Sequence, residues 1–457
     1  MIVIWLIVAA CSTDTDEHND ARTGPSLILI IGDGMDDQQI TIARNYLVGS
    51  QGKLTLDSMQ YRGSVQVQAV DEDDPGKAVY VADSASAATA ISGGVITSRG
   101  RIGTTAKFDS DIVTVMELAQ SAGLRTGIVT TASITDATPA SFIAHVNQRF
   151  CQSPSDMVKR NERFPPASTD CSQDYKANGG LGSIAEQVAS SRFDILLGGG
   201  TDYFSDFIEG SADTTVLDNA RANGFSTIFQ SEHLRMIEPK KRVLGLFSPS
   251  TMPVRYRGEN GSQARLLERV NGKVIWPEPY GCEKNPEVGS VPTLGEMTEA
   301  ALRHLANDNG FVLMIESASI DKQSHYRRPC GQIGEVSQLL DAVLVALDFL
   351  DSNSDTLVLV TADHGHAAHL ISDISGLAFL NYATPGRFAR VQTPEGSVMG
   401  INYASNDSPL WDEHSGVQIP IYASGSGASN LPIFIRQTEI FDISISHLGL
   451  SHPVQAD

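Results

Sequence analysis

Acidic residues and a histidine follow three apolar segments of this sequence. Asp33 follows SLILII, Glu316 follows FVLMI, and Asp363 with His364 follows TLVLVTA. A short, uninterrupted apolar run is typical of a strand buried in a parallel sheet, and ligands bind beyond the carboxyl ends of such strands. We therefore expect these side chains to meet at one edge of one sheet. Carboxylates together with imidazoles suit Zn²⁺, whereas carboxylate-rich sites suit Mg²⁺.

Further potential metal ligands stand close to two of these segments. Asp321 and His325 are four residues apart, so one turn of helix would place both on the same face. His366 and His369 follow the third segment, and their roles stay open. His414 is isolated in the sequence. We expect it to be a ligand only if the other residues leave a tetrahedral metal site one imidazole short.

The stretch VADSASAATA, residues 81–90, combines a helix cap with a possible nucleophile. Its alanines predict a helix, and Asp83 or Ser84 at the start is typical of an N-cap. Ser84 would then lie at a helix N-terminus, where backbone N–H groups and the helix dipole favour anions. Taken alone, this stretch is compatible both with a purely structural helix and with a helix that carries a nucleophilic serine.

Apolar segments alternate with amphipathic patterns along the chain, which predicts an α/β fold with a mainly parallel sheet. The expected strands include 26–31, 127–130, 194–197, 311–315 and 356–360. The expected helices include 112–122, 293–306 and 336–350. Residues 205–290 are less regular, and we expect them to form peripheral insertions over the central sheet.

The composition is that of a globular protein with an acidic surface. The 457 residues are 41% hydrophobic and 19% charged, with 33 basic and 54 acidic residues that give a net charge of −21. This balance argues against a nucleic-acid groove or a patch for anionic membranes. It leaves a small anionic substrate possible, because bound metal ions invert the local field.

The first eleven residues, MIVIWLIVAAC, form an apolar run that ends in small residues and Cys11. The run is shorter than the ~20 residues needed to span a bilayer, and it fits the apolar part of a secretory signal peptide. Residues 8–11 resemble the bacterial lipobox, in which the cysteine is lipidated; an ordinary signal peptide is the alternative. We therefore expect an exported protein, either periplasmic or anchored in the outer membrane of a bacterium, with residues 12–24 as a flexible tether.

Export makes the other four cysteines candidates for disulfides. None of them forms a C-x-x-C pair, which argues against a zinc ribbon or a thioredoxin-type site. Neighbours in the sequence would pair Cys151 with Cys171 and Cys282 with Cys330, although four cysteines allow three pairings.

Six motifs occur in a characteristic order: GDGM at 32–35, DSASAATA at 83–90, DATPASFIAHVNQR at 136–149, ESASIDKQSH at 316–325, TADHGHA at 361–367 and EHSG at 413–416. Together they resemble the bacterial periplasmic alkaline phosphatases over residues 25–450. The resemblance implies one large domain, with a central and mostly parallel sheet flanked by helices on both faces, usually as a homodimer. It also implies a hydrolase of broad range for small phosphate monoesters, which acts at alkaline pH through a phosphoserine.

The resemblance assigns roles to individual residues. Ser84 would be the nucleophile and Arg149 would bind the phosphate, whereas Ser86 would only pack. Of two zinc ions, one would be held by Asp321, His325 and His414, and the other by Asp33, Asp363 and His364. A magnesium ion would be held by Asp33, Thr138 and Glu316. Asp136 and Lys322 match positions around the phosphate and the magnesium waters, and the family's two disulfides pair Cys151 with Cys171 and Cys282 with Cys330.

The sequence departs from the family pattern at positions outside the ligand set. Asp36 stands where glycine is common, Ser324 replaces an acid before a zinc histidine, and GGVITS lacks the lysine of GVKT. We expect these changes to alter metal affinity and the pH profile. Two alternative functions are a phosphodiesterase of the same superfamily and a noncatalytic surface lipoprotein that binds metal or phosphate.

Overall fold

The central feature of the fold is a ten-stranded sheet. In this computed structural model, the described residues are 24–157, 170–307, 309–373, 384–406 and 408–453. The expected signal peptide, Cys11 and nearly all of the 12–24 tether lie outside them. The strands of the described residues are β1 (Ser26–Gly32), β2 (Tyr61–Gln66), β3 (Ala69–Val70), β4 (Ala78–Val79), β5 (Arg125–Ser133), β6 (Ile195–Gly199), β7 (Phe225–Ile228), β8 (Arg242–Leu246), β9 (Tyr256–Gly258), β10 (Arg265–Leu266), β11 (Glu268–Val270), β12 (Lys273–Ile275), β13 (Cys282–Lys284), β14 (Phe311–Ser317), β15 (Thr356–Ala362), β16 (Gly365–His366), β17 (Ala368–Ile371), β18 (Arg387–Gln392), β19 (Val398–Tyr403), β20 (His414–Ser415), β21 (Ile419–Gly425) and β22 (Phe434–Arg436).

The strand order in the large sheet is β22-β2-β21-β15-β1-β14-β5-β6-β8-β7. All of these strands run parallel except β21, which is antiparallel to both of its neighbours. The three central strands β15, β1 and β14 are buried along their whole length, because their apolar side chains are covered on both faces. The prediction of a mainly parallel sheet is therefore confirmed.

Helices cover the two faces of this sheet. The helices of the described residues are α1 (Asp37–Leu47), α2 (Ser84–Gly93), α3 (Val115–Ser121), α4 (Ala137–Ala140), α5 (Pro154–Met157), α6 (Ile184–Ser190), α7 (Val216–Ala222), α8 (Leu294–Leu305), α9 (Ser319–His325), α10 (Pro329–Leu350) and α11 (Glu439–His447). One group packs around α10, which contacts β1, β14, β15 and the helices α1, α8 and α9. A second group consists of α2, α3, α4 and α11, of which α3 and α4 contact β14. Among the described residues, no helix combines the length and apolar character needed to cross a membrane.

The prediction for residues 205–290 is wrong in part. This region contributes β7 and β8 to one end of the large sheet. Both strands are short, and the half-exposed β7 (FSTI) lacks the apolar run that marks the central strands. The rest of the region forms two-stranded ribbons, β9 with β13 and β11 with β12, while β10 joins a separate four-stranded sheet with β18, β19 and β17.

Both expected disulfides are present. Cys151 is bonded to Cys171, and Cys282 is bonded to Cys330, with Cα atoms 6.0 and 5.4 Å apart. The second disulfide links β13 to the first turn of α10. That helix begins at Pro329, earlier than the predicted start at 336, because proline is well suited to the first turn of a helix.

Candidate active site

The structure brings the acids of the three apolar segments together. Gly32 of β1 is paired with Ser317 of β14 and with Ala362 of β15, so the three strands end at the same level. Asp33 and Asp363 follow two of these strand ends directly, and Glu316 is one residue before the end of the third.

A first group of potential ligands comes from α9 and from the β16–β20 ribbon. Asp321 and His325 lie one helical turn apart on α9, and His366 of β16 is paired with His414 of β20. One ligand atom from each of these four residues lies within 4.8 Å of the others. The isolated His414 of the sequence is therefore a neighbour of Asp321 in space.

The hydrogen bonds of His325 and His414 orient both rings toward Asp321. Nδ1 of His325 faces the carbonyl of Asp412, and Nδ1 of His414 lies 2.9 Å from the carbonyl of Ala82. In its neutral form, each ring therefore carries its proton on Nδ1 and presents a lone pair on Nε2. The two Nε2 atoms are 3.1 Å apart, and each is 3.3 Å from Oδ1 of Asp321. Lone pairs that face one another at this distance fit a shared cation.

His366 has the opposite arrangement. Its Nδ1 accepts a hydrogen bond from the backbone N–H of Ala367 at 2.7 Å. Burial lowers the pKa of His366 to about 4, so the ring is neutral and its proton is on Nε2. That nitrogen lies 3.2 Å from Oδ1 of Asp321, so an N–H and not a lone pair faces the carboxylate. His366 is therefore better suited to orienting Asp321 than to binding a metal ion, and His369, which is exposed, lies outside the group.

A second group, Asp33, Asp363 and His364, lies beside Ser84. Nε2 of His364 is 3.5 Å from Oδ1 of Asp33 and 3.3 Å from Oδ2 of Asp363. Asp363 is held in place by the backbone N–H groups of Gly34 and His364, which donate to its Oδ1 at 2.9 and 2.8 Å. The hydroxyl oxygen of Ser84 lies 3.2 Å from Nε2 of His364 and 3.4 Å from Oδ1 of Asp33.

The site concentrates four buried carboxyl groups. Burial and the neighbouring Asp363 and Asp321 carboxylates raise the pKa of Asp33 well above its usual value. Burial likewise raises the pKa of Asp363 to about 6 and that of Glu316 to about 7. The pKa of Asp321 is instead well below its usual value, because the adjacent His325 and other imidazoles outweigh the effect of burial. So much buried negative charge, beside imidazole lone pairs, fits divalent cations.

Two threonines affect Glu316. Thr130 of β5, paired with Glu316 in the strand register, donates its hydroxyl proton to the carboxylate. Thr138 also lowers the pKa of Glu316, against the larger effect of burial. No motif singles out Thr130; only the register of β5 and β14 shows its position.

The N-terminus of α2 places Ser84 at the site. Asp83 is the N-cap, and its Oδ1 accepts the backbone N–H of Ser86 at 3.1 Å. Gly100 also donates its backbone N–H to the Asp83 carboxylate. The capped-helix prediction and the placement of Ser84 beside the ligand groups are thus compatible.

Cationic side chains face Ser84 from the opposite side. Arg149 donates to Asp83 at 3.2 Å and to Asp136 at 3.4 Å. Nζ of Lys322 lies 2.5 Å from the other oxygen of Asp136. Burial opposes the charged form of Asp136, but Lys322 and Arg149 lower its pKa to about 2. Burial opposes the charged forms of both cations, but Asp83 and Asp136 raise the pKa of Arg149, and Asp136 and Asp33 raise that of Lys322, so both stay charged.

The departures at Asp36 and Ser324 have structural roles. Asp36 caps α1 by accepting the N–H of Gln38 at 2.7 Å, and it accepts the N–H of His366 at 3.1 Å. Burial raises the pKa of Asp36 to about 6. Ser324 is buried and donates to the carbonyl of Ile320 within α9. Asp36 thus ties the first helix to the strand that carries His366.

Part of the site lines a cavity of about 600 Å³. Its lining includes Ser84, Arg149, Lys322, Asp321, His325 and His414, together with Asp83, Arg99, Gly100, Gln148, Phe150, Tyr326, Trp411 and Glu413. A sheet edge with two cation-binding groups, a serine at a helix N-terminus and a guanidinium is the arrangement of a metal-dependent phosphoryl-transfer enzyme.

Comparison with known proteins agrees with this class. The family model for alkaline phosphatase matches residues 25–411. The alkaline phosphatase of Escherichia coli (strain K12) is 37% identical, over 94% of this chain and 87% of its own length. The streptomycin-6-phosphate phosphatase of Streptomyces griseus is also 37% identical, over 98% of this chain and 96% of its own. The chain belongs to the alkaline phosphatase family, and it is a metal-dependent phosphomonoesterase.

Solved structures share the fold. The alkaline phosphatase from the Antarctic bacterium TAB5 has a TM-score of 0.66 at 24% identity and covers 93% of this chain and 99% of its own. The alkaline phosphatase of Thermus thermophilus has a TM-score of 0.68 at 20% identity and covers 95% of this chain and 94% of its own.

Proposed function

We propose that the protein hydrolyses small phosphate monoesters in two displacements at Ser84. In the first, Ser84 Oγ loses its proton and bonds to phosphorus, while the bond from phosphorus to the alcohol oxygen breaks and the alcohol takes up a proton. In the second, water loses a proton and bonds to phosphorus, the Oγ–phosphorus bond breaks, Ser84 Oγ regains a proton and inorganic phosphate leaves. The observation that carries this proposal is the position of Ser84 Oγ, 3.2 Å from His364 and 3.4 Å from Asp33, in a cavity that is also lined by Arg149 and Lys322.

Two zinc ions and one magnesium ion are proposed to act at this site. Asp321, His325 and His414 would hold one zinc ion; Asp33, Asp363 and His364 would hold the second; Asp33, Thr138 and Glu316 would hold the magnesium ion. When bound, such ions would supply positive charge to the oxygens that enter and leave phosphorus, and they would lower the pKa of a bound hydroxyl or water. The tautomers of His325 and His414, and the raised pKa values of Asp33, Asp363 and Glu316, support this assignment.

Arg149 is proposed to bind the phosphate group. Its planar guanidinium can donate to two phosphate oxygens at once, which the ammonium of a lysine does not match. Asp83 and Asp136 hold the guanidinium in place, and Lys322 adds a second positive charge behind Asp136. The backbone N–H groups at the start of α2 and the dipole of this helix also favour a bound anion.

Export, a lipid anchor on Cys11 and a homodimer are further proposals. The two disulfides support an oxidising compartment, because such bonds persist mainly in exported proteins. Partition of the mature protein into detergent tests the lipid anchor, and sedimentation equilibrium tests the homodimer. A soluble, unacylated mature chain would contradict the anchor.

The function is tested with a chromogenic phosphate monoester and the matching diester, each with and without a chelator. We expect the monoester to be hydrolysed much faster, and we expect chelation to stop the reaction until zinc and magnesium are restored. Faster turnover of the diester would favour the phosphodiesterase alternative, and activity that resists chelation would contradict the metal assignment.

A further inference from the structure

We propose that Tyr326 and Trp411 form a binding surface for the leaving group that favours nucleoside 5′-monophosphates over esters without an aromatic ring. The inference rests on the proposed function, because it requires the phosphate to lie at Ser84. Both rings line the same cavity as Ser84.

The position of the two rings follows from the geometry of displacement. Entering and leaving oxygens lie roughly in line on opposite sides of phosphorus. Ser84 lies beside the group of Asp33 and His364, so the alcohol departs toward the other group, His325 and His414. Tyr326 directly follows His325, and Trp411 precedes His414 by three residues. Both rings line the cavity together with His325 and His414, which places them on the side toward which the alcohol departs.

The exposure of the side chains indicates where along the substrate the rings act. Ser84 is only 2% exposed, whereas Tyr326 is 45% exposed and Trp411 is half-buried. The cavity thus runs from a buried, charged floor to an open, aromatic mouth. A ring several bonds from the ester oxygen reaches that mouth, and the base of a nucleotide is such a ring. Its faces are suited to stacking on aromatic side chains.

Hydrogen bonds hold Trp411 in place before any substrate arrives. Its Nε1 donates to Glu413 at 2.9 Å, and its backbone carbonyl accepts from Arg327 at 2.6 Å. Arg327 forms an ion pair with Asp412 at 3.2 Å, with side chains that are 4% and 0% exposed. A ring held in this way loses little freedom when a base stacks on it.

Tyr326 is fixed by its neighbours in a comparable way. The guanidinium of Arg328 lies 5.1 Å from the centre of the Tyr326 ring, on one face. The backbone N–H of Tyr326 bonds to the carbonyl of Lys322 and so continues α9. The same segment thus carries a potential metal ligand, His325, and a wall of the proposed subsite.

The test compares AMP with ribose 5-phosphate, which share the same ester oxygen and differ in the base. In Trp411→Ala we expect kcat/KM for AMP to fall about tenfold, since stacking of one base is worth roughly that much. For ribose 5-phosphate and for competitive inhibition by inorganic phosphate we expect less than about a twofold change. Trp411→Phe, which keeps an aromatic face, should restore most of the AMP rate. Leu410→Ala is the matched control, because this exposed neighbour does not line the cavity.

A direct binding measurement separates the subsite from the chemistry. In a Ser84→Ala background, calorimetry should show weaker AMP binding when Trp411→Ala is added, with phosphate binding unchanged. Equal losses for AMP, ribose 5-phosphate and phosphate would overturn the proposal and make Trp411 a structural residue. Unchanged AMP kinetics would overturn it as well. If the wild-type protein released phosphate from neither ester, the proposed function itself would fail.

Discussion

The hydroxyl of Ser86 donates to the carboxylate of Asp83 at 2.8 Å, and the same carboxylate accepts the backbone N–H of Ser86. Ser86 is therefore part of the helix cap, and its hydroxyl is engaged by Asp83. Ser84, two residues earlier, has its hydroxyl beside His364 and Asp33 instead. The two serines of DSASA thus have separable roles.

Ser84→Ala should abolish nearly all phosphate release, because both proposed displacements require its Oγ. The measurement is turnover of a chromogenic monoester, with metal content determined on the same sample. Retained metal and lost activity would identify a chemical defect. Substantial residual turnover would move the nucleophile elsewhere.

Ser86→Ala should keep the activity but lower stability. Loss of a capping partner costs about 1 kcal/mol, which thermal unfolding monitored by circular dichroism will detect as a lower Tm. Ser92→Ala is a suitable comparison, since Ser92 lies on the same helix and donates to the carbonyl of Ser141, away from the site. A large loss of kcat in Ser86→Ala would contradict the assignment.

The sequence predicts the sheet edge well because apolar strands and the acids that follow them are local signals. Asp33, Glu316 and Asp363 can be placed in this way, and so can the helix that begins at Ser84. The antiparallel β21 and the short strands β7 and β8 could not be found, since their pairing depends on distant partners.

Within the site, the sequence does not show which nitrogen of a histidine carries the proton. His366 and His414 both lie beside Asp321, and only the hydrogen bond at Nδ1 distinguishes their tautomers. Thr130 is invisible for a similar reason, because its contact with Glu316 depends on the register of two strands. Motifs locate the ligands, whereas tautomers and register decide what each side chain does.

The opposite tautomers of His366 and His414 lead to different mutant phenotypes. His414→Gln should lose about one metal ion per chain, because it removes an imidazole lone pair that faces Asp321. His366→Gln should keep its metal ions and lower their affinity about tenfold, since the glutamine amide can still donate to Asp321. Metal content after dialysis, measured by mass spectrometry, checks both variants. Equal metal loss in both would make His366 a ligand.

Arg149→Lys should weaken phosphate binding more than it weakens metal binding. A lysine keeps the positive charge but cannot donate to two phosphate oxygens at once, as the planar guanidinium can. It would also lose the contacts with Asp83 and Asp136 that orient the guanidinium. We expect the inhibition constant for inorganic phosphate to rise about tenfold, in line with the loss of one charge-assisted hydrogen bond. Lys107→Arg serves as a control, since Lys107 lies outside the cavity lining. Unchanged inhibition by phosphate would exclude direct contact with Arg149.

His145 should make the fold less stable as the pH becomes alkaline. Its Nδ1 lies 2.9 Å from the carbonyl of Gly103 and its Nε2 3.3 Å from Glu117. Burial disfavours the charged ring, but Glu117, with smaller contributions from Gly103 and Asp111, raises the pKa of His145 to about 9. Because the folded pKa lies above the unfolded value of about 6.5, the stabilisation is fully present below pH 6.5 and is lost as the pH rises through 9.

The protonated His145 is expected to add on the order of 2 kcal/mol to the free energy of unfolding, after allowance for solvent screening of the partly exposed Glu117 carboxylate. The difference in Tm between the wild type and His145→Gln should therefore be largest at pH 6 and should shrink toward zero at pH 10. Calorimetric scans of the metal-loaded protein across this range provide the measurement. Glu117→Gln should reproduce the pH dependence of His145→Gln, because either change removes the same charge pair. A difference in Tm that stays constant with pH would show that His145 is neutral in the folded protein.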